Sequence, residues 1–263
     1  MADVIHESGW EQCHDWHADV MKDTSSWFGD AIHASSEMVV LDAACGTGIP
    51  SLAIAERVRK LVATDASNPM IEAARRKAAG RTNIEHRVMD VAKLDFADES
   101  FDAITCKDGL MFCDPVTGAR ELRRVLKGKG RFAISAWDEP SKCIFFSTLF
   151  QSIGRFLGGP PPDPNAPGPF RLSRPGQFES VLREAGFSDF QIERREVGFT
   201  FDSLDHHWRV IRAMVGSVAV AEEKLPPSEL ANLKKALGDA LAPYTDARGI
   251  RLVNTALCAS GVR

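Results

Sequence analysis

The stretch Met38-Val39-Val40-Leu41-Asp42-Ala43-Ala44-Cys45-Gly46-Thr47-Gly48 constrains this chain more than any other. Its four leading apolar residues predict a strand buried on both faces, the pattern of a parallel sheet covered by helices. Cys45 to Gly48 supply a tight, small-residue turn. Ile49, Leu52 and Ala53 follow at helical spacing, and Pro50 is tolerated in a first turn because its missing N–H costs nothing there. The unit is strand, glycine turn, helix. Its bare backbone lets a ligand approach closely, and the helix N-terminus offers unpaired N–H groups.

A second strand over residues 61–64 ends in Asp65. That acid lies about 20 residues past the turn, the interval at which a crossover unit brings a carboxylate to a nucleotide ribose. A structural turn and a solvated strand-end aspartate are the plainer alternative. Turn and acid together, in a strand–helix–strand frame, favour a nucleotide-type ligand. Cys45 lies inside the turn and reads as a small packing residue rather than a nucleophile.

Residues 41–48 and 63–70, Leu-Asp-Ala-Ala-Cys-Gly-Thr-Gly and Ala-Thr-Asp-Ala-Ser-Asn-Pro-Met, resemble the first two motifs of class I S-adenosylmethionine-dependent methyltransferases. The resemblance is to the branch of ubiquinone/menaquinone C-methyltransferases and related small-molecule enzymes, with Ala44 where many members have glycine. It implies an α/β fold: a doubly wound, seven-stranded, mostly parallel Rossmann-like sheet whose last strand is antiparallel. It also implies S-adenosyl-L-methionine as cofactor, S-adenosyl-L-homocysteine as product, and contacts from Asp42, Ala44, Gly46, Thr47, Gly48, Asp65, Ala66 and Met70. The run from Met89 to Phe96 resembles the third motif, in which Asp90 and the N–H of Val91 meet the adenine ring. A carboxylate accepts from the exocyclic amine there, while an amide donates to a ring nitrogen.

Elsewhere the pattern completes this frame. Residues 68–79 predict a helix, 84–89 a third strand and 101–106 a fourth. Lys107 and Asp108 then lie at a strand end, beside the transferred methyl if strand order reverses there as the resemblance implies, and Lys107 is counted among the expected cofactor-binding residues; a solvated ion pair is the alternative. A helix with Ala119, Leu122 and Leu126 inward closes on Lys127-Gly128-Lys129-Gly130, where cations suit a helix C-terminus. Residues 131–137 predict a fifth strand, 190–197 a sixth and 250–259 the antiparallel last one.

Three segments depart from the rhythm. Residues 1–37, with Trp10, His14, Trp16, His17 and Trp27, are expected to form an N-terminal helical lid. Residues 139–172, with a proline-rich run from Gly158 to Pro169, are expected to rim an acceptor pocket. Residues 203–242 are expected to insert a cap of two helices. The core is then 38–200 with 250–263. His207 lies on the apolar face of the first cap helix and is a candidate general base, as is His14 in the lid; core packing is the alternative for both.

The formal net charge is −4, from 32 Lys and Arg against 36 Asp and Glu, which gives no general attraction to nucleic acid. The six cysteines show no metal-ligand spacing, so no metal is expected. No apolar run approaches the roughly 20 residues needed to span a bilayer. The first residues lack the features of a signal peptide, and a cytoplasmic protein with reduced thiols is expected. The expected function is methyl transfer from S-adenosylmethionine to carbon or oxygen of a small-molecule acceptor. The alternatives are an NAD-dependent oxidoreductase and a non-catalytic cofactor-binding protein. A short-chain reductase is excluded, since the single tyrosine, Tyr244, is followed four residues later by Arg248 rather than lysine.

Overall fold

The computed structural model describes residues 12–158, 163 and 165–263. In chain order it begins with α1 (His14–Val20), α2 (Lys22–Ala31), β1 (Val39–Ala43), α3 (Ile49–Ala55), β2 (Lys60–Asp65), α4 (Asn68–Lys77) and β3 (Ile84–Val88). Then come β4 (Phe101–Cys106), α5 (Pro115–Val125), β5 (Leu126–Trp137), α6 (Ile144–Leu157), α7 (Gln177–Glu184) and β6 (Asp189–Phe201). The chain closes with α8 (Leu204–Met214), α9 (Gly216–Lys224), α10 (Pro227–Leu241), β7 (Thr245–Asp246) and β8 (Gly249–Val262).

The strands form one sheet in the order β3-β2-β1-β4-β5-β8-β6, with the two-residue β7 paired to β8. The pairs from β3 through to β5 are parallel, whereas β8 runs antiparallel to both β5 and β6. The chain steps outward from β1 to β3, then crosses back to place β4 on the other side of β1. That reversal leaves a crevice outside the carboxyl ends of β1 and β4, where open α/β sheets bind ligands. The central strands are sealed on both faces: Val40, Leu41, Ala103, Ile104 and Cys106 are fully buried.

Local chemistry sets the helix starts around the crevice. The Ser67 hydroxyl accepts the Met70 amide at 3.2 Å to cap α4, and the Asp114 carboxylate accepts that of Thr117 at 2.8 Å to cap α5. Pro69 and Pro115 sit in the first turns, where no amide is missed.

Besides β6 and β8, which run past the expected 190–197 and 250–259 at both ends, three features differ from the sequence reading. β5 begins at Leu126, not 131, because Leu126 pairs with Phe101 and the ladder resumes at Arg131 after a register shift. The cap contains three helices rather than two, since Val215 is extended and breaks α8 from α9. The N-terminal segment divides by role. Phe28 and Ile32 are fully buried, and α2 packs against α3 and β5 as part of the layer on the sheet. Only α1 reaches the strand ends. Trp10 and residues 159–162 and 164 of the proline-rich run lie outside the described residues.

Candidate active site

The glycine turn is pinned to the end of β2. Cys45 donates its amide to the Thr64 carbonyl, and Gly46 donates to Asp65 Oδ2, both at 2.9 Å. Asp65 Oδ1 accepts the amide of Ser67 at 2.9 Å, so one carboxylate ties two ligand-facing turns together. Gly46 has φ +56°, and a Cβ built there would meet nothing within 4 Å. The turn therefore presents bare backbone to open space. Ala44 is also left-handed, at φ +53°. Its methyl fills the place where a side chain on Gly109 would come within 2.4 Å of it, so a glycine at the end of β4 accommodates an alanine at the end of β1.

Asp42 does not face the crevice. It is fully buried beneath the turn, accepting from the Ser51 hydroxyl and, at 2.7 Å, from that of Thr105. Burial pushes its pKa up to about 6 despite those two hydrogen bonds. Its role here is to tie α3 to β4. Cys45 is equally enclosed, and burial with the nearby Asp65 and Asp42 carboxylates pushes its thiol well up, which makes it a poor nucleophile.

Asp90 follows β3 with an exposed side chain whose Oδ1 accepts the Ala92 amide at 2.9 Å. Val91 turns inward and is buried. Met89 donates its amide to the Asp65 carbonyl at 2.8 Å, which sets the second and third acids side by side. Met70 is buried at the start of α4 and Ala66 is exposed between them.

The end of β4 carries the densest polar cluster. Lys107 Nζ lies 2.9 Å from Asp108 Oδ2, and the pair is largely enclosed. Asp108 Oδ1 accepts from the Ser135 hydroxyl at 2.6 Å. From above, α1 delivers two buried histidines. His14 Nδ1 is 3.0 Å from Thr47 Oγ1 in the glycine turn, and His17 is buried on the same helix. Burial, then Lys107, then His14 hold the His17 pKa well below the ordinary histidine value.

An aromatic wall begins at the end of β5. Trp137, ending β5, lies 5.3 Å from Phe146 of α6 between ring centroids, and Phe170 lies 5.9 Å from Phe146 and 6.3 Å from Phe150. Trp16 of α1 stacks on Phe201, meets Phe199 edge-on, and donates its indole N–H to the Thr200 carbonyl at 2.7 Å. The same helix thus touches both the glycine turn and the wall. The segment bearing Phe170 is clipped to the loop after β4 by Gly168 N–H to the Met111 carbonyl at 3.1 Å and by Arg171 to the Cys113 carbonyl.

The structure does not bring His207 to this place. It is fully buried between Phe201, at 4.7 Å, and Phe145, at 5.8 Å, and among the described residues neither ring nitrogen has a hydrogen-bond partner. Burial pushes its pKa down to about 4. It faces inward, as its apolar helix face requires, but inward means the core of the cap rather than the crevice. Reading the sequence singled out His14 and passed over His17, three residues on along the same face. Ser135 follows Ile134, the register partner of Cys106, and that strand position is the signal that marks it as a neighbour of the Lys107–Asp108 pair.

The donor set suits S-adenosylmethionine. Bare backbone at Gly46 admits the amino-acid part of the cofactor, Asp65 retains lone pairs for ribose hydroxyls, and Asp90 offers an exposed acceptor for an adenine amine. When bound, S-adenosylmethionine supplies an electrophilic methyl group on a sulfonium leaving group. Fold and cradle together resemble those of class I S-adenosylmethionine-dependent methyltransferases. Residues 41–134 match the family described as methyltransferase domain. A demethylmenaquinone methyltransferase from Clavibacter sepedonicus is 42% identical over 102 residues, which are 38% of this chain and 42% of that protein. The chain spans about half the length of the curated relatives it matches. The crystal structure of YcgJ from Bacillus subtilis covers 92% of this chain and 98% of its own at a TM-score of 0.64 and 20% identity. Geranyl diphosphate C-methyltransferase from Streptomyces coelicolor A3(2), solved with Mg2+, geranyl diphosphate and S-adenosyl-L-homocysteine, covers 91% and 78% at a TM-score of 0.53 and 14% identity. At these identities the structural likeness establishes the fold.

Proposed function

We propose that this chain transfers the methyl group of S-adenosylmethionine to carbon or oxygen of a small, largely apolar acceptor. The observation that carries this reading is adjacency. Helix α1 touches the cradle through His14 and Thr47, and through Trp16 and Phe199 it reaches the aromatic group of Trp137 and Phe146. Methyl transfer to such an acceptor needs alignment more than covalent chemistry from the protein. Trp16, Trp137 and Phe146 offer flat apolar faces for that alignment.

An acidic charge balance favours a small molecule over a nucleic acid, and the six cysteines, all unpaired, fit a cytoplasmic setting. Among the described residues no helix is long and apolar enough to cross a membrane. The test is calorimetric binding of S-adenosylhomocysteine and of NADH, followed by transfer of labelled methyl into a metabolite extract. Binding of NADH in place of S-adenosylhomocysteine would return the chain to the oxidoreductases. Tight S-adenosylhomocysteine binding without transfer to any extract would favour a non-catalytic cofactor-binding protein.

A further inference from the structure

The strand order β3-β2-β1-β4-β5 lays the polar residues out in a line along the carboxyl edge of the sheet. Asp90 follows β3, Asp65 ends β2 and Gly46 follows β1, so the cradle occupies one side of the crevice. Lys107 and Asp108 follow β4 on the other side, and Ser135 comes next along β5 from Ile134, the register partner of Cys106. Cys106 also pairs with Ala43, so Lys107 leaves the sheet one strand spacing, about 5 Å, from the glycine turn. In the methyltransferase reading, a cofactor with adenine at Asp90 and ribose at Asp65 runs along this line toward β4. The acceptor then belongs beyond it, at the ends of β4 and β5.

The polar cluster at that place is built rather than incidental. The side chains of Lys107 and Asp108 are only 10% and 13% exposed. Their 2.9 Å contact is the one hydrogen bond of the ammonium among the described residues. An ammonium carries three donors, so two remain for a ligand in a largely enclosed position. Asp108 sits in the left-handed region at φ +54°, which residues other than glycine rarely occupy. Ser135 holds it there, with its hydroxyl on Oδ1 at 2.6 Å and its Oγ and carbonyl each 3.2 Å from the Asp108 amide. The cofactor's reactive end does not account for this lysine. A sulfonium is positive, and like charges repel more strongly where water is excluded.

We infer that Lys107 anchors an anionic oxygen of the acceptor, and that Asp108 and Ser135 are positioning residues that aim the lysine. This role rests on the methyltransferase reading and specifies its acceptor: a largely apolar molecule bearing a carboxylate or phenolate oxygen. Lys107 holds that oxygen through charge-assisted hydrogen bonds and takes no proton from it. The charges in the crevice then balance. Lys107 and Asp108 cancel, and the acceptor's negative charge offsets the sulfonium.

The test uses the full chain with labelled S-adenosylmethionine and a metabolite extract divided on a strong anion-exchange resin, once at about pH 6 and once at about pH 11. Acceptor activity should be retained by the resin. Retention at the lower pH identifies a carboxylate or stronger acid, and retention only at the higher pH a phenolate. Activity that passes through at both belongs to an acceptor without an anionic oxygen and overturns the anchor. Lys107→Met should lower transfer to the retained fraction by about 10- to 100-fold, the scale of a hydrogen bond to a charged group, with S-adenosylhomocysteine affinity kept. Lys107→Arg keeps the charge and should lose less than Lys107→Gln, a comparison that also serves if Lys107→Met fails to fold. Ser135→Ala should raise the apparent KM for dilutions of the retained fraction while kcat holds. Equal losses in Lys107→Arg and Lys107→Gln, or a fall in S-adenosylhomocysteine affinity as large as the fall in transfer, overturns the assignment. Absence of transfer to any fraction by wild type would instead remove the methyltransferase reading, and the anchor with it.

Discussion

Asp65 Oδ2 accepts the amide of Gly46 at 2.9 Å, across 19 residues of sequence. The bond fixes the glycine turn after β1 relative to the end of β2, and the second oxygen holds Ser67 at the start of α4. A carboxylate has about four lone-pair sites, so both oxygens can still accept from a ribose. The acid organises the cradle before any ligand arrives.

Asp65→Ala should therefore weaken S-adenosylhomocysteine binding by about 1.5–3 kcal/mol, the range for hydrogen bonds to a charged group. Asp65→Asn keeps one acceptor oxygen and should lose less. Titration calorimetry on both variants decides it, and unchanged affinity in Asp65→Ala would remove this residue from the cofactor site.

Asp42 supplies a pH signature of stability. Its folded pKa of about 6 lies above that of an ordinary aspartate, so the folded state binds the proton more tightly. The contribution is full below about pH 4 and is lost as pH rises through about 6, a change on the order of 3 kcal/mol. Asp42→Asn keeps a partner for both Ser51 and Thr105 but never ionises. Its stability relative to wild type should rise across that interval. Urea unfolding at a series of pH values measures this, and parallel curves would contradict the buried charge.

The crevice was legible in the sequence because its signals are local. The apolar run into Gly46 and the pattern over Phe101–Cys106 each encode a doubly buried strand, and Asp65 and Asp90 stand at the ends of the two strands between them. What was hidden depends on partners far along the chain. Lys127 to Gly130 have no apolar signal of their own, and enter β5 only through its pairing with β4. The contact of Trp137 with Phe146, and of Phe146 with Phe170, needs the fold to bring three segments together. Asp42 belongs to the turn's motif, yet its side chain projects into the buried layer between α3 and β4, a direction the motif does not state.

Trp16 tests whether α1 is a separate closing element. Its indole joins α1 to β6 through Phe199, Phe201 and the Thr200 carbonyl, whereas α2 is anchored by the fully buried Phe28 and Ile32. Trp16→Ala should loosen α1 and cut methyl transfer, while the core keeps its unfolding midpoint to within a few degrees. Hydrogen exchange should rise over residues 14–20 and stay low over α2. Faster exchange throughout both helices would mean that they open as one unit.

His207 is expected to act on stability rather than on catalysis. Its pKa of about 4 lies below the ordinary histidine value, because the imidazolium would be buried between Phe145 and Phe201. A depressed folded pKa makes the contribution complete above about pH 6.5 and lost as pH falls toward 4, on the order of 3 kcal/mol. His207→Leu removes two buried nitrogens that have no partners among the described residues and replaces them with apolar surface. The variant should be at least as stable as wild type at pH 7 and distinctly more stable near pH 5. Methyl transfer should stay near the wild-type rate, since the side chain is sealed from the crevice. Unfolding midpoints at the two pH values and single-turnover transfer are the measurements. A fall in transfer of about 100-fold with cofactor binding intact, the scale of a lost general base, would show that the cap opens to bring this histidine to the acceptor.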